Sequence, residues 1–149
     1  MNEALLSSGS TEWSTPRDFF DTLNTRYGFT LDPCATAENA LCKKFYTRED
    51  DGLVKSWKYE TVFMNPPYGR EIKHWIRKAY EESTDCLVVA LIPARTDTSY
   101  WHQFILNEDG TAVREGVTVR FIKGRLKFGD SKNSAPFPSA LVVFDRRGL

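Results

Sequence analysis

The segment TVFMNPPYGR, residues 61–70, joins a short apolar run to two consecutive prolines. Proline has no backbone N–H to donate to a sheet, so the prolines predict that a strand at residues 61–64 ends at Asn65. Downstream, apolar residues recur every three or four positions, which predicts an amphipathic helix over residues 71–82. A strand, a rigid turn and a helix in this order are typical of an α/β protein.

Other elements are predicted on both sides of this segment. Thr15-Pro16 predicts a helix start with Thr15 as the cap, and Gly28 predicts the stop. The strongest predicted strand is CLVVALIP, apolar throughout as in strands covered on both faces. The alternation of helices with apolar strands predicts a mostly parallel sheet. Its last two strands are expected to form an antiparallel edge hairpin around a long loop. The remaining predictions are strands at residues 29–31, 45–47, 117–123 and 140–145, helices at 35–44 and 98–106, and a loop at 124–139.

Composition indicates one ordinary domain of 149 residues, with a flexible segment at 1–11 and a single folded unit at 12–149. No apolar run has the ~20 residues of a membrane span, and the start of the chain lacks the features of a secretion signal, so a cytoplasmic location is expected. The three cysteines show no CxxC spacing, and we expect neither a disulfide framework nor a metal site.

Two unusual loops follow predicted strands, and they suggest a ligand site. They are DPCA, residues 32–35, and NPPY, residues 65–68. In open α/β sheets, ligands bind beyond the carboxyl ends of strands, near the point where the strand order reverses. If the two strands are neighbours, one cleft will hold a carboxylate, an amide, backbone carbonyls and an aromatic ring.

Those groups suit a planar exocyclic amine, whose lone pair is delocalised into its ring. The side-chain oxygen of Asn65 and the carbonyl of Pro66 can accept the two N–H bonds and free the lone pair for attack. Tyr68 can stack on the ring. An electrophilic methyl donor such as S-adenosylmethionine needs no strongly shifted general base, and we expect His74 and His102 to be surface or packing residues.

Longer stretches resemble the small phage and prophage DNA N6-adenine methyltransferase family over about residues 12–145. The matching landmarks are EWSTPRDFFDTL, YGFTLDPCA, DDGLVKSW, FMNPPYG with HWIRKA, LIPARTDTSYWH, RFIKGRLKF and APFPSALVVF. At 149 residues little chain remains for a separate target-recognition domain, so none is expected. The resemblance implies a reduced, Rossmann-like, S-adenosylmethionine-dependent fold. It also implies methylation of N6 of adenine in DNA.

The resemblance also implies roles for individual residues. Asn65, Pro66, Pro67 and Tyr68 match the catalytic motif that binds a flipped base. No GxG occurs among the nine glycines, so DPCA must replace the usual glycine-rich cofactor loop. The implied cofactor residues are Trp13, Thr15 and Pro16 at the methionine end, Asp32, Pro33, Cys34 and Ala35 after the first strand, and Asp51 or its neighbour Asp50 near the cofactor's adenine.

DNA contacts are expected from basic residues near the same opening, because Lys plus Arg equal Asp plus Glu at 20 each and any polyanion site must be local. Arg95 follows the strongest strand, and Arg125 is the main candidate for a phosphate contact, with Lys123 and Lys127 beside it. Target recognition is expected from the loop at 123–138 and the stretch after Gly69, and help from a second subunit, as in a homodimer, stays open.

Three other functions stay open from the residues alone. N4-cytosine methylation needs the same amine chemistry, and only the family resemblance favours adenine. Methylation of a protein glutamine amide also fits NPPY, although it predicts a glycine-rich cofactor loop. A non-catalytic DNA-binding protein that keeps a methyltransferase fold is the third alternative.

Overall fold

The computed structural model describes residues 13–129 and 134–149. The segment 1–11 that we expect to be flexible, residue 12 and residues 130–133 of the long loop lie outside the described residues. The elements are strands β1 (Leu31–Asp32), β2 (Lys44–Phe45), β3 (Thr61–Met64), β4 (Leu87–Pro93), β5 (Val117–Phe121) and β6 (Ser139–Phe144), helices α1 (Arg17–Tyr27), α2 (Ile72–Glu82) and α3 (Ser99–Phe104), and a short 3-10 helix at Gly52–Val54.

The strands form one mixed six-stranded sheet in the order β2-β1-β3-β4-β6-β5. Strand β1 pairs in parallel with β2 and β3, and β3 pairs in parallel with β4. Strand β6 lies antiparallel between β4 and β5, which confirms the predicted antiparallel hairpin at the edge. Because β6 opposes both neighbours, β5 points the same way as β4. The carboxyl ends of β1 to β5 therefore share one side of the sheet, which we name the carboxyl edge.

Helices cover both faces of the sheet. On one face, Phe20 of α1 packs edge-on against Phe63 of β3, with ring centroids 5.2 Å apart. On the other face, Tyr80 of α2 contacts both Phe104 of α3 and Phe144 of β6. Strand β4 lies between these layers, and its residues 88–92 are fully buried, which explains why CLVVALIP is apolar at every position.

Most predicted elements are confirmed, and the helix ends follow simple backbone chemistry. The predicted helix over residues 71–82 is α2, which buries the periodic residues Ile72, Trp75, Ile76 and Ala79. Helix α1 ends at Gly28, whose φ of 66° is the left-handed conformation that glycine adopts without strain, and its N–H donates to the Asn24 carbonyl.

Two local predictions are wrong. No helix forms at residues 35–44, because Thr36 and Asn39 exchange side-chain to backbone hydrogen bonds that close a turn. Thr15 does not cap α1: Pro16 occupies the cap position, and no side-chain hydrogen bond caps the helix. The predicted strand at 29–31 is also shifted, since β1 covers only Leu31–Asp32.

Candidate functional site

A cavity of about 540 Å³ opens at the carboxyl edge, between the loops that follow β1 and β3. These two strands are neighbours, with Leu31 paired to Val62. The strand order also reverses here, because the chain passes from β1 outward to β2 and then returns to the other side of β1 to form β3. The cavity therefore lies where ligands bind in open α/β sheets.

Most of the predicted catalytic and cofactor residues lie on the wall of this cavity. Pro16, Asp50 and Tyr68 are outside the lining, and so are the four predicted DNA-contacting residues. The predicted residues on the wall are Trp13, Thr15, Asp32, Pro33, Cys34, Ala35, Asp51, Asn65, Pro66 and Pro67.

Asn65 stands at the end of β3 with its amide held in one orientation. Its Nδ2 donates to the Trp13 carbonyl and, at 2.9 Å, to the Thr15 hydroxyl. Its Oδ1 is buried and has no hydrogen-bond partner in the described part of the chain. An unpaired buried acceptor costs on the order of 1–3 kcal/mol, so the site keeps an oxygen that a ligand N–H can satisfy.

Tyr68 is buried beneath the NPPY turn. Its hydroxyl donates to the Leu91 carbonyl of β4 at 3.1 Å, and its ring meets the edges of Phe128 and Phe137. Burial raises the pKa of the Tyr68 hydroxyl far above its ordinary value of 10.0, so the phenol stays protonated. In this arrangement Tyr68 ties the turn to the central strand.

Asp32 ends β1 on the opposite wall and is only 5% exposed. Its two carboxylate oxygens accept the backbone N–H groups of Cys34 at 3.3 Å and Leu41 at 3.1 Å. Burial raises the pKa of Asp32 from 3.8 to about 6, and the two backbone hydrogen bonds offset part of that rise. A nearby positive charge would stabilise the ionised form.

The two adjacent aspartates at 50 and 51 have different environments. The Asp51 side chain lies on the cavity wall, where the residue has a left-handed φ of 56° and accepts the Leu53 N–H at 3.2 Å. The Asp50 carboxylate accepts the N–H and hydroxyl of Thr47 at 2.9 and 3.0 Å. These bonds lower the pKa of Asp50, which holds a turn outside the cavity.

Gly52 and Trp75 also line the cavity, although no motif in the sequence predicted them as site residues. A Cβ on Gly52 would overlap the Pro33 carbonyl and lie 3.1 Å from Cη2 of Trp75, so glycine lets the 3-10 helix pack closely against both the loop after β1 and α2. The Nε1 of Trp75 is a buried donor with no partner within residues 13–129 and 134–149. The apolar periodicity of α2 predicts that Trp75 is a core residue. That pattern gives no sign that Trp75 also lines the cavity.

The predicted DNA contacts surround the carboxyl edge outside the cavity. Arg95 follows β4, and its guanidinium lies 5.6 Å from the centre of the Phe137 ring. Arg125 donates to the Ala135 carbonyl at 3.3 Å, a contact that closes the loop between β5 and β6. Lys123 and Lys127 are exposed on the same loop. The fold thus brings four basic side chains to one side of the sheet.

The opposite edge carries basic residues with structural partners. Arg146 lies 3.7 Å from the centre of the Tyr80 ring and donates to the Tyr80 carbonyl, and Arg147 pairs with Asp145.

His74 and His102 are exposed and do not line the cavity. In the described ranges, no group of three or more His, Cys, Asp or Glu could hold a metal ion, and no helix is both long and apolar enough to span a membrane.

The family described as DNA N-6-adenine-methyltransferase (Dam) matches residues 4–147, which includes the whole cavity wall. The chain belongs to this Dam family. Membership confirms the resemblance drawn from the landmark segments of the sequence.

Two relatives show how far similarity to other Dam sequences extends. The DNA N-6-adenine-methyltransferase of Escherichia phage T1 is 38% identical over 145 residues, which cover 84% of this chain and 60% of the relative. The DNA N-6-adenine-methyltransferase of Haemophilus phage HP1 is 26% identical over 137 residues, covering 89% of this chain and 78% of the relative. The chain thus spans about three-fifths of the length of the phage T1 relative.

Proposed function

We propose that this protein transfers a methyl group from S-adenosylmethionine to the N6 amino group of adenine in DNA. The observation that carries the proposal is the Oδ1 of Asn65, which has no hydrogen-bond partner among the described residues and is buried at the wall of a cavity where the strand order reverses. Family membership favours adenine over cytosine, for which the same acceptor would serve.

The proposed chemistry requires hydrogen-bond acceptors and a fixed geometry. The Oδ1 of Asn65 and the carbonyl of Pro66 accept the two N–H bonds of the target amine, which localises its lone pair and stabilises the positive charge that develops during attack. Pro67 fixes the backbone beyond Pro66 without adding a competing N–H donor. No strong base is required, because the amine becomes acidic only after its nitrogen has taken the methyl group and the carbon–sulfur bond of the sulfonium has broken, and water can then accept the proton.

S-adenosylmethionine supplies a methyl group activated by a sulfonium, and the cavity residues fit this donor. A volume of about 540 Å³ suits a ligand of this size, since small-molecule sites span roughly 300–1,000 Å³. The Asp32 carboxylate, whose pKa burial raises, gains a counter-charge from a cationic ligand. Asp51 and the Nε1 of Trp75, which has no partner among the described residues, can bond ribose or adenine groups, while Trp13 closes the methionine end.

We also infer that the sheet is a reduced Rossmann-like sheet. Support comes from the parallel order β2-β1-β3-β4, with its reversal between β1 and β3 beside the cavity. In this interpretation the DPCA loop replaces a glycine-rich loop. It does so through Asp32, whose carboxylate orders the backbone that a GxG turn would otherwise shape.

DNA is proposed to approach the carboxyl edge, where Arg95, Lys123, Arg125 and Lys127 meet the phosphates. The target adenine must leave the duplex, because its amino group is otherwise paired. We propose that Tyr68 stacks on the flipped base. Its ring now lies under Phe128 and Phe137, so stacking requires those two rings to separate from it.

The direct test is incubation with S-adenosylmethionine labelled in its methyl group and unmethylated DNA, followed by nucleoside analysis. Label in N6-methyldeoxyadenosine is the expected result, and DNA that already carries this modification is the matched control. Label in N4-methyldeoxycytidine or in protein glutamine would replace the proposal with one of the alternative substrates. Retained DNA binding without any label would indicate a non-catalytic protein.

A further inference from the structure

The amide of Asn65 is oriented by residues that precede it by about 50 positions in the chain. Its Nδ2 faces the Trp13 carbonyl, which can accept a hydrogen bond but cannot donate one. A flipped amide would place two oxygens together without a proton between them. The Trp13 carbonyl therefore sets the orientation of the amide, and the Thr15 hydroxyl accepts its second N–H at 2.9 Å.

The segment 13–15 is fixed on both sides of these contacts. The Trp13 ring meets Phe128 and Phe137 edge-on, with ring centroids 5.6 and 5.2 Å away, and the Gly129 N–H donates to the Ser14 carbonyl at 2.8 Å. After Thr15, the Pro16 carbonyl accepts the Phe20 N–H of the first turn of α1. The Thr15 hydroxyl is thus held against Asn65 by packing on one side and a helix on the other.

The sequence around Thr15 predicts a different use of its hydroxyl. A threonine before a proline at a helix start commonly bonds the free backbone N–H groups of the first turn. No such bond forms in α1, and the Thr15 oxygen contacts the Asn65 amide instead. A helix that forgoes its cap while its threonine orients a distant amide suggests a functional constraint.

We propose that Thr15 is a positioning residue for methyl transfer, which holds the Asn65 amide so that Oδ1 is presented to the target amine. This proposal rests on the proposed function, because it gives the presented oxygen a substrate. It differs from the cofactor-closing role that the family resemblance implies for Thr15. A positioning residue affects the rate of the chemical step, whereas a cofactor contact affects the affinity for the donor.

Two substitutions at this position form a matched pair. Thr15→Val keeps the branched shape but removes the acceptor, and Thr15→Ser keeps the oxygen. We expect Thr15→Val to lower the single-turnover rate at saturating donor and DNA by about tenfold or more, with the donor Kd changed by less than about threefold. Thr15→Ser should restore most of that rate. A raised donor Kd with an unchanged saturated rate, or equally slow Val and Ser variants, would overturn the proposal.

A measurement without DNA separates this proposal from the proposed function. In ¹⁵N-labelled protein, the side-chain NH₂ signals of Asn65 can be assigned by their loss in Asn65→Ala. Thr15→Val should shift one of the two proton signals upfield and speed its exchange with water, while Thr15→Ser should keep it near its original position. If the protein does not methylate DNA, the proposed function fails, and these signals alone decide the Thr15 contact. Unshifted signals in Thr15→Val would refute it.

Discussion

Asp32 and Asn65 stand at the ends of neighbouring parallel strands and face the same cavity, yet their side chains differ in charge and in hydrogen bonding. Both oxygens of Asp32 accept backbone N–H groups, but burial penalises its charge and raises its pKa to about 6. Asn65 bears no charge, but its Oδ1 lacks a donor within the described ranges. Among the described residues, Asp32 therefore lacks a positively charged partner and Asn65 Oδ1 lacks an N–H donor.

These two unsatisfied groups indicate which pair of ligand groups the cavity binds. A cation beside Asp32 and an amine beside Asn65 would satisfy both walls, and the proposed reaction brings those groups together. Each deficit costs stability in the empty protein, since buried polar groups are normally paired and buried charges compensated. The comparison therefore predicts that substitutions at the two positions have separable effects on binding, catalysis and stability.

The largest effect is expected from Asn65→Ala, which removes the buried Oδ1 of the amide. Methyl transfer should fall on the order of 1,000-fold or more, because an acceptor aimed at developing charge is lost. Donor affinity should stay within about tenfold of the original value, since the Asp32 wall is intact. Single-turnover assays and calorimetric titration measure the two quantities. A variant with full turnover would remove Asn65 from its assigned role.

The Asp32 wall is tested by Gly52→Ala, which introduces a Cβ against the Pro33 carbonyl and Trp75. We expect a loss of about 1–3 kcal/mol in the free energy of unfolding, because the close approach must open. Donor affinity should fall as well. Chemical denaturation measures the first change, and Val54→Ala, at a residue 74% exposed, is the nearby control. Equal stability of the two variants would contradict the proposed tight contact.

The charge of Asp32 is tested by the pH dependence of stability. The folded pKa of about 6 lies above the ordinary value of 3.8, so protonation stabilises the fold, and that contribution is lost as the pH rises through 6. Relative to Asp32→Asn, the unliganded protein should lose about 2 kcal/mol between pH 4.5 and 7.5. Parallel unfolding curves for the two proteins across this range would show that the carboxyl is not buried as described.

Donor binding should follow the opposite trend. A cationic ligand favours the ionised carboxylate, so its affinity should increase as the pH rises through 6, and binding should release protons below that pH. Titration calorimetry in buffers of different ionisation enthalpy measures this release. In Asp32→Asn the pH dependence should largely disappear. If the pH dependence of donor affinity persisted in Asp32→Asn, a group other than Asp32 would interact with the charge of the donor.

The smallest effect is expected outside both walls, at the basic loop after β5. Lys127→Ala should reduce the slope of log K for DNA binding against log salt by about 0.9 if Lys127 meets one phosphate. Lys58→Ala is the matched control, because Lys58 is exposed and precedes β3 at the opposite edge of the sheet. Equal slopes for the two variants would argue against DNA at the carboxyl edge.

Sequence predicted the parts of the fold that depend on local chemistry. The prolines after Met64 ended β3 as expected, and the unbroken apolar run at residues 86–93 became the central strand β4. The spacing of Ile72, Trp75, Ile76 and Ala79 predicted α2. In each case the signal lies within a few consecutive residues, and tertiary contacts reinforce it.

Sequence could not predict features that depend on distant partners. Instead of capping α1, the Thr15 hydroxyl accepts a hydrogen bond from an amide 50 residues away. Tyr68 is enclosed by aromatic rings from the loop between β5 and β6. Residues 35–44 have a weak helical pattern, but the exchange of bonds between Thr36 and Asn39 closes a turn. Gly52 had no local signal, because its importance comes from the approach of Pro33 and Trp75.

The most direct test of the central claim is the distance between Oδ1 of Asn65 and the target nitrogen. It can be measured in a crystal structure of the protein with unmethylated DNA and a non-reactive analogue of S-adenosylmethionine. We predict a flipped adenine whose N6 lies about 3 Å from that oxygen, with Nδ2 still bonded to the Trp13 carbonyl and the Thr15 hydroxyl. An adenine bound elsewhere, or an amide turned so that Oδ1 faces Thr15, would contradict the account.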